Sequence, residues 1–229
     1  MKKKLLIILL FYFNLFEAIS QPPRRDIIDK KIKSVTTIDF SESGEKIKED
    51  KMYYSVSGND SIFYRGNKPT FLFETIQKNN RILQIKKTDT EGHLIELSNY
   101  EYEEDSTCTV VTLDEGIFTR SIDKLNSRQE ILLAIHKTGD TMFYESDGMG
   151  NVNKIIRAQK GIRSIEATFE YDSLGTRSKA NIKTGQVQEI IIYKNNELGL
   201  PVEAKFYKVQ KAGDEYLGKT TYNYEFYSP

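Results

Sequence analysis

A polar residue followed three positions later by Gly or Asn recurs along this 229-residue chain. That recurrence constrains the fold more than any other feature, because internal repeats dictate architecture before any single motif does. The copies are Ser41-Glu42-Ser43-Gly44, Asp89-Thr90-Glu91-Gly92, Asp123-Lys124-Leu125-Asn126, Asp147-Gly148-Met149-Gly150, Asp172-Ser173-Leu174-Gly175 and Asn196-Glu197-Leu198-Gly199. Successive first positions lie 48, 34, 24, 25 and 24 residues apart. The first step is twice 24, which predicts a degenerate copy near Arg65-Gly66-Asn67. The 34 reads as one period with an insertion around Glu103 to Gly116.

Asp, Asn or Ser at the first position accepts a hydrogen bond from the backbone two residues on. The fourth position takes positive φ, which Gly adopts freely and Asn tolerates. Together they close a hairpin through a type I turn. The aromatic residue just before it, as in Tyr171 or Phe40, ends the incoming strand and packs on a sheet face. Flanking segments agree. "RQEILLA" (128–134) aligns without a gap on "VNKIIRA" (152–158), and "GLPVEAKFY" (199–207) alternates at period two. A 24-residue period leaves room for two strands of ordinary length. The predicted fold is all-β: an antiparallel meander of hairpin repeats forming a curved open sheet or partly closed barrel.

The N-terminus predicts export. Met1-Lys2-Lys3-Lys4 is basic, Leu5 to Phe16 is apolar but short for a bilayer span, and Ala18 and Ser20 put small residues before Gln21. Residues 1–20 are therefore expected to be a signal peptide, 21–34 an N-terminal arm and 35–229 the repeat domain, in the periplasm, at the cell surface or secreted. No transmembrane segment is expected after cleavage. Removing residues 1–20 takes away three Lys and one Glu and leaves a net charge of −2. A near-neutral chain of interspersed charge argues against a nucleic-acid partner. Cys108 has no second cysteine to pair with, and its strand-like setting reads as buried filler rather than a reactive thiol.

"FEYDSLGTRS" (169–178), with "YESDGMGNV" and "TDTEGHLIE", resembles the YD repeat of the Rhs and teneurin type, and in particular small exported relatives from Bacteroidetes bacteria. The resemblance covers residues 35–227, and only Tyr171-Asp172 keeps the literal Tyr-Asp pair. It implies an antiparallel meander that in large relatives winds into a shell around a cargo. A chain of this length is expected to enclose little.

Catalytic constellations are thin. His93 and His136 lack metal-ligand spacing and read as exposed rim residues. No nucleophile elbow, P-loop or dinucleotide fingerprint is present, and no cofactor or metal is expected. Glu103, Glu104 and Asp105 read as a polar hairpin loop. The recurring aromatics offer a binding face, for which Tyr144, Tyr171, Tyr193, Tyr207, Tyr222 and Tyr224 are the candidates, against the plainer reading of cross-strand packing. The function expected is a non-catalytic exported protein that binds an envelope or extracellular protein or a glycan through its sheet face or loops. Two alternatives stay open: a carrier holding an apolar ligand on a concave sheet, and a glycan hydrolase with a dispersed carboxylate pair.

Overall fold

A computed structural model describes residues 24–79, 81–103, 106–114, 116–125, 131–136, 139–149 and 151–228. The expected leader, the turn finishers Asn126 and Gly150, and the acids Glu104 and Asp105 lie outside the described residues. A short helix, α1 (Arg24–Asp29), leads into sixteen strands: β1 (Ile32–Ser41), β2 (Lys46–Tyr54), β3 (Asp60–Arg65), β4 (Lys68–Lys78), β5 (Arg81–Thr88), β6 (Leu94–Glu103), β7 (Thr107–Asp114), β8 (Ile117–Leu125), β9 (Ile131–His136), β10 (Thr141–Ser146), β11 (Val152–Gln159), β12 (Ile162–Tyr171), β13 (Arg177–Thr184), β14 (Val187–Asn195), β15 (Pro201–Lys208) and β16 (Glu215–Phe226).

Each strand pairs antiparallel with its neighbours in sequence, and β16 returns to β1, so the sheet closes into a barrel. The open or partly closed sheet expected above is thereby corrected. The seam is a ladder running from Ile32↔Phe226 to Ser41↔Gly218. Closure leaves no edge strand with unpaired backbone groups, the outcome that a long meander otherwise has to reach by covering its edges.

The repeated turns share one hydrogen-bond pattern. At Asp172 the backbone N–H donates to the Thr176 carbonyl (2.8 Å), and the Gly175 N–H donates back to the Asp172 carbonyl (3.0 Å). Oδ1 of Asp172 accepts from the N–H groups of Leu174 and Thr176, both at 2.9 Å. Oδ1 of Asp89, Asp147 and Asn196 accepts from the same two offsets. The backbone pattern extends to Ser41, Ser55 and His136. Gly44, Gly92, Gly175 and Gly199 all have positive φ.

Gly175 holds φ at +73°, and a Cβ built there meets only the movable end of the exposed Met149 side chain, so the backbone conformation is what selects glycine. Gly175→Val is therefore expected to cost about 1–3 kcal/mol, because a β-branched side chain resists this backbone region. An unchanged thermal unfolding midpoint would contradict the turn geometry.

Two expected copies are corrected. Asp123 is not a turn starter but an internal residue of β8, paired with Cys108 and Ala134. Arg65-Gly66-Asn67 is the tight two-residue connection between β3 and β4, not a degenerate copy. A further turn of the same kind, outside the 24-residue spacing, is Ser55-Val56-Ser57-Gly58, whose Ser55 hydroxyl accepts from the Asn59 N–H at 3.1 Å.

Adjacent aromatics split between faces, as strand alternation requires. Tyr54, Phe63, Tyr144 and Phe206 point into the barrel, while Tyr53, Tyr64, Phe143 and Tyr207 point out. Strands β2, β6, β10, β12, β14 and β16 all run toward the end of the barrel where α1 sits. Near that end they carry inward Tyr54, Tyr102, Tyr144, Tyr171, Tyr193 and Tyr224. The hydroxyls explain the recurrence. Tyr171 donates to the carbonyl of Val152 (2.7 Å), the first residue of β11. Tyr224 donates to the carbonyl of Pro201 (2.8 Å), the first residue of β15. Tyr193 meets Arg177, the first residue of β13. Tyr171, Tyr193 and Tyr224 thus each tie down the exit of the preceding turn, whereas the buried Tyr54 hydroxyl has no hydrogen-bond partner among the described residues. The cap is completed by Ile27 of α1 and by Leu200, both in the core, and by Tyr227, which donates to the Tyr54 carbonyl at 2.6 Å.

Candidate functional site

Alternation gives the barrel a lumen and an outer wall, and both carry charge. On the outer wall Lys51 pairs with Glu225 (2.7 Å), Lys86 with Glu74 (3.3 Å), Lys179 with Glu170 (3.3 Å) and Lys219 with Glu203 (2.9 Å). A lipid-facing barrel needs an apolar band there, and Lys or Arg near the bilayer midplane costs about 2–4 kcal/mol each. This outer wall is therefore built for water over much of its circumference. Among the described residues no helix is long and apolar enough to cross a membrane.

The lumen is filled unevenly. From β10 round to β2 it is packed: Met142, Ile182, Ile191, Ala180, Ala204 and Tyr222 are buried, with small residues set beside large ones. Sixteen strands make a barrel wider than side chains alone fill. From β3 to β9 the filling is looser: Phe63, Phe71, Phe73, Lys87, Glu96 and Thr112 stay partly accessible, while Ser98, Cys108, Asp123 and Ala134 are buried. Phe63 stacks on Phe71 (5.9 Å between centroids), and the Lys87 ammonium lies 4.3 Å from the Phe71 centroid and 6.0 Å from that of Phe73. Lys87 stands directly opposite Glu96. Beside them Ile85, Ser98, Thr112 and Thr119 form one cross-strand row, and the Ser98 and Thr112 hydroxyls bond at 2.8 Å. An aromatic wall, a hydroxyl row and a Lys–Glu pair thus stand together on the accessible half.

Next to it lies a buried polar cluster. Arg157 donates to Asp140 Oδ2 at 2.5 Å. Asp123 is 8% exposed, and its Oδ1 has no donor among the described residues. Burial pushes the Asp123 carboxyl up, with Ser121 and His136 opposing the shift. Burial pushes His136 down, opposed by Asp123 and Asp140. Both groups are driven toward their neutral forms. Tyr100 and Tyr144 nearby are pushed up to about 12 by desolvation. The Cys108 thiol is raised as well, chiefly by burial, which opposes thiolate formation.

The signs give a test. A carboxyl whose folded pKa is raised makes the folded state bind more protons, so its contribution falls as pH climbs above the ordinary value of 3.8. His136 acts oppositely: the stability tied to its neutral form is full above its ordinary value of 6.5 and is lost as pH falls below it. Asp123→Asn is expected to gain about 1 kcal/mol at neutral pH, by removing a buried, half-satisfied charge. It should also flatten the acid-side slope in urea unfolding followed across pH. A loss of stability at neutral pH would show that the carboxylate is needed.

The aromatic candidates fall into two groups. Tyr144, Tyr171, Tyr193, Tyr222 and Tyr224 lie in the lumen and in or against the core, where packing and hydroxyl bonds engage them. Tyr207 faces outward against Tyr216, at 5.5 Å between centroids. His93 is an exposed turn residue bonded to Asp89 (2.8 Å), as expected of a rim position. His136 is not: it starts a turn and sits half-buried beside the charge cluster. Cys108 is buried, at 3% exposure. Sequence reading passed over Phe63, Phe71, Phe73 and Lys87 as site residues. Their one signal was period-two alternation in "KPTFLFE", with Phe71 and Phe73 on one face.

No family model matches this sequence, and no curated protein matches it. Among solved structures, a porin-like protein from Bacteroides uniformis aligns with 85% of this chain and 98% of its own at 9% identity, with a TM-score of 0.51. A porin-like protein from Bacteroides vulgatus aligns over 85% of this chain and 98% of its own at 10% identity and TM-score 0.34. A Tc holotoxin pore structure from Photorhabdus luminescens aligns over 82% of this chain but only 12% of its own, at 8% identity and TM-score 0.36. At 9% identity the first of these is a likeness of fold.

Proposed function

We propose that this chain is an exported, non-catalytic β-repeat barrel, a degenerate relative of the YD-repeat proteins, that binds a glycan or a segment of a partner protein at the accessible half of its lumen. The observation that carries this reading is the lining from β3 to β8: Phe63, Phe71 and Phe73 on one side, the Ser98–Thr112–Thr119 row beside them, and Lys87 facing Glu96. Aromatic faces take the C–H faces of sugars or the apolar side chains of a peptide, and hydroxyls with paired charge satisfy its polar groups. The kinship rests on the polar-starter turn, whose hydrogen-bond scheme recurs at Asp89, Asp147, Asp172 and Asn196, and on the one literal Tyr171-Asp172 pair.

The alternatives find less support. A carrier of apolar ligands would not line its accessible space with Lys87 and Glu96. A hydrolase would draw on Asp123 and Asp140, but the Arg157 guanidinium occupies the Asp140 carboxylate that would have to serve as base or nucleophile.

The test is a calorimetric and NMR titration of the chain from Gln21 onward with panels of oligosaccharides and peptides. Phe71→Ala with Phe73→Ala is expected to lose binding, and Tyr207→Ala on the outer wall to keep it. Binding indifferent to the two phenylalanines would overturn the luminal site. Turnover of an oligosaccharide that Asp123→Asn abolishes would overturn the non-catalytic reading.

A further inference from the structure

The outer wall is two-sided. From β13 round to β5, Lys51, Lys86, Lys179 and Lys219 pair with outward acids, while Lys183 has no ion pair among the described residues and Ile76 and Ile192 are exposed singly. From β8 to β12 the wall changes character. Leu133, Phe143, Ile156 and Ile165 form one continuous cross-strand row. Ile122 and Ile135 are directly paired beside it. Several of these are open to solvent: Phe118 is 70% exposed, Ile165 49% and Ile135 39%. Set among them are Arg120, Lys124 and Arg163, the last with its guanidinium 4.9 Å from the Phe143 centroid. Arg120 and Lys124 pair with no acid among the described residues. The acids on this wall, Glu145 and Glu170, are each held by a lysine.

We propose that this wall docks the barrel onto an anionic phospholipid surface. Exposed apolar side chains mixed with unneutralised Arg and Lys are the composition of an interfacial membrane contact: the apolar groups enter the headgroup boundary and the cations meet lipid phosphates. A contiguous apolar patch of this extent marks an interaction site. Shape and charge select the occupant. The outside of a closed barrel is convex, so a second copy would touch it along a narrow strip. A two-fold contact would also bring Arg120, Lys124 and Arg163 toward their symmetry mates, where like charges repel. A bilayer deforms to a convex surface and supplies the opposite charge. The contact leaves the lumen free, so it stands independently of the ligand reading above.

The experiment is vesicle co-sedimentation of the chain from Gln21 onward, which contains every strand of the barrel and removes Leu5–Phe16 from the measurement. Vesicles of phosphatidylcholine are compared with vesicles in which phosphatidylglycerol is mixed. Tighter binding to the anionic vesicles, weakening as salt shortens the Debye length, is expected. Arg120→Gln with Lys124→Gln should weaken that binding about 30-fold, at ~1 kcal/mol per basic residue near the surface. Phe118→Ser with Ile165→Ser should weaken it at least as much. Lys51→Gln with Lys219→Gln, on β2 and β16 across the barrel from this wall, should leave it within about threefold, and circular dichroism confirms that each variant is folded. Equal binding to both vesicle types, or binding untouched by the β8–β12 substitutions, overturns the proposal. So does a concentration-dependent dimer in sedimentation equilibrium that Phe118→Ser dissolves, which would make this wall an interface between copies.

Discussion

Gly218→Ala is expected to lower the unfolding midpoint by roughly 10 °C and to loosen the barrel at its seam. Gly218 sits in β16, opposite Ser41 of β1 on one side and Phe206 of β15 on the other. Its φ is +141°, and a Cβ built there would lie 2.3 Å from the carbonyl oxygen of Phe40. That oxygen belongs to the backbone and cannot swing aside, so β1 and β16 must separate locally. Backbone strain of this kind costs about 1–3 kcal/mol, and forcing an extra carbon into a filled site costs a similar amount. About 3 kcal/mol in a chain of this size moves the midpoint by roughly 6–12 °C. Differential scanning calorimetry decides it: a midpoint within a degree or so of the parent would mean that the seam tolerates a side chain.

Asp140→Ala is expected to cost roughly 2–4 kcal/mol. Asp140 is 8% exposed, and its carboxylate takes the Arg157 guanidinium at 2.5 Å inside the lumen. Removing the acid leaves a largely buried cation without that carboxylate, and the loss of one partner is what makes such pairs expensive. Arg157→Met combined with Asp140→Leu is expected to recover most of the loss, because an apolar pair of similar volume has no charge to desolvate. Urea unfolding of the single and double variants gives the coupling directly. Strict additivity of the two losses would show that the ion pair contributes nothing as a pair.

The turns were the most legible part of the fold because their chemistry is local. Asp89, Asp147, Asp172 and Asn196 each supply one oxygen to two backbone N–H groups, and their spacing alone locates them. Asp123 fits the same four-residue string and misleads. The string carries no information about which face its first residue takes, and here Ser121 and Asp123 alternate inward while Ile122 and Lys124 alternate outward along an unbroken strand. Ser55 and His136 were missed because a hydroxyl or imidazole start is common in turns of no particular kind. Several other hairpins escaped notice because they close in two residues, as at Lys160-Gly161, where both φ angles are positive.

Closure itself had no local signature. Nothing near Ile38 or Thr221 says that they pair, and only the accumulated twist of fifteen preceding hairpin ladders brings them together. The accessible luminal site was equally hidden. Phe71, Lys87 and Thr112 read in sequence as ordinary strand residues, and only the register turns them toward one another.

All ladders but one join strands consecutive in the chain, and the exception links β1 to β16. Fifteen contacts can form by zippering, each nucleated by its own hairpin within microseconds. The sixteenth must wait for a search across nearly the whole polypeptide, and that entropy is recovered only at the last moment. Until then two complementary rims of unpaired peptide groups stand exposed on every molecule, and at high concentration the nearest mate for each belongs to another molecule. Slow refolding that branches into strand-exchanged oligomers is the kinetic signature this topology carries.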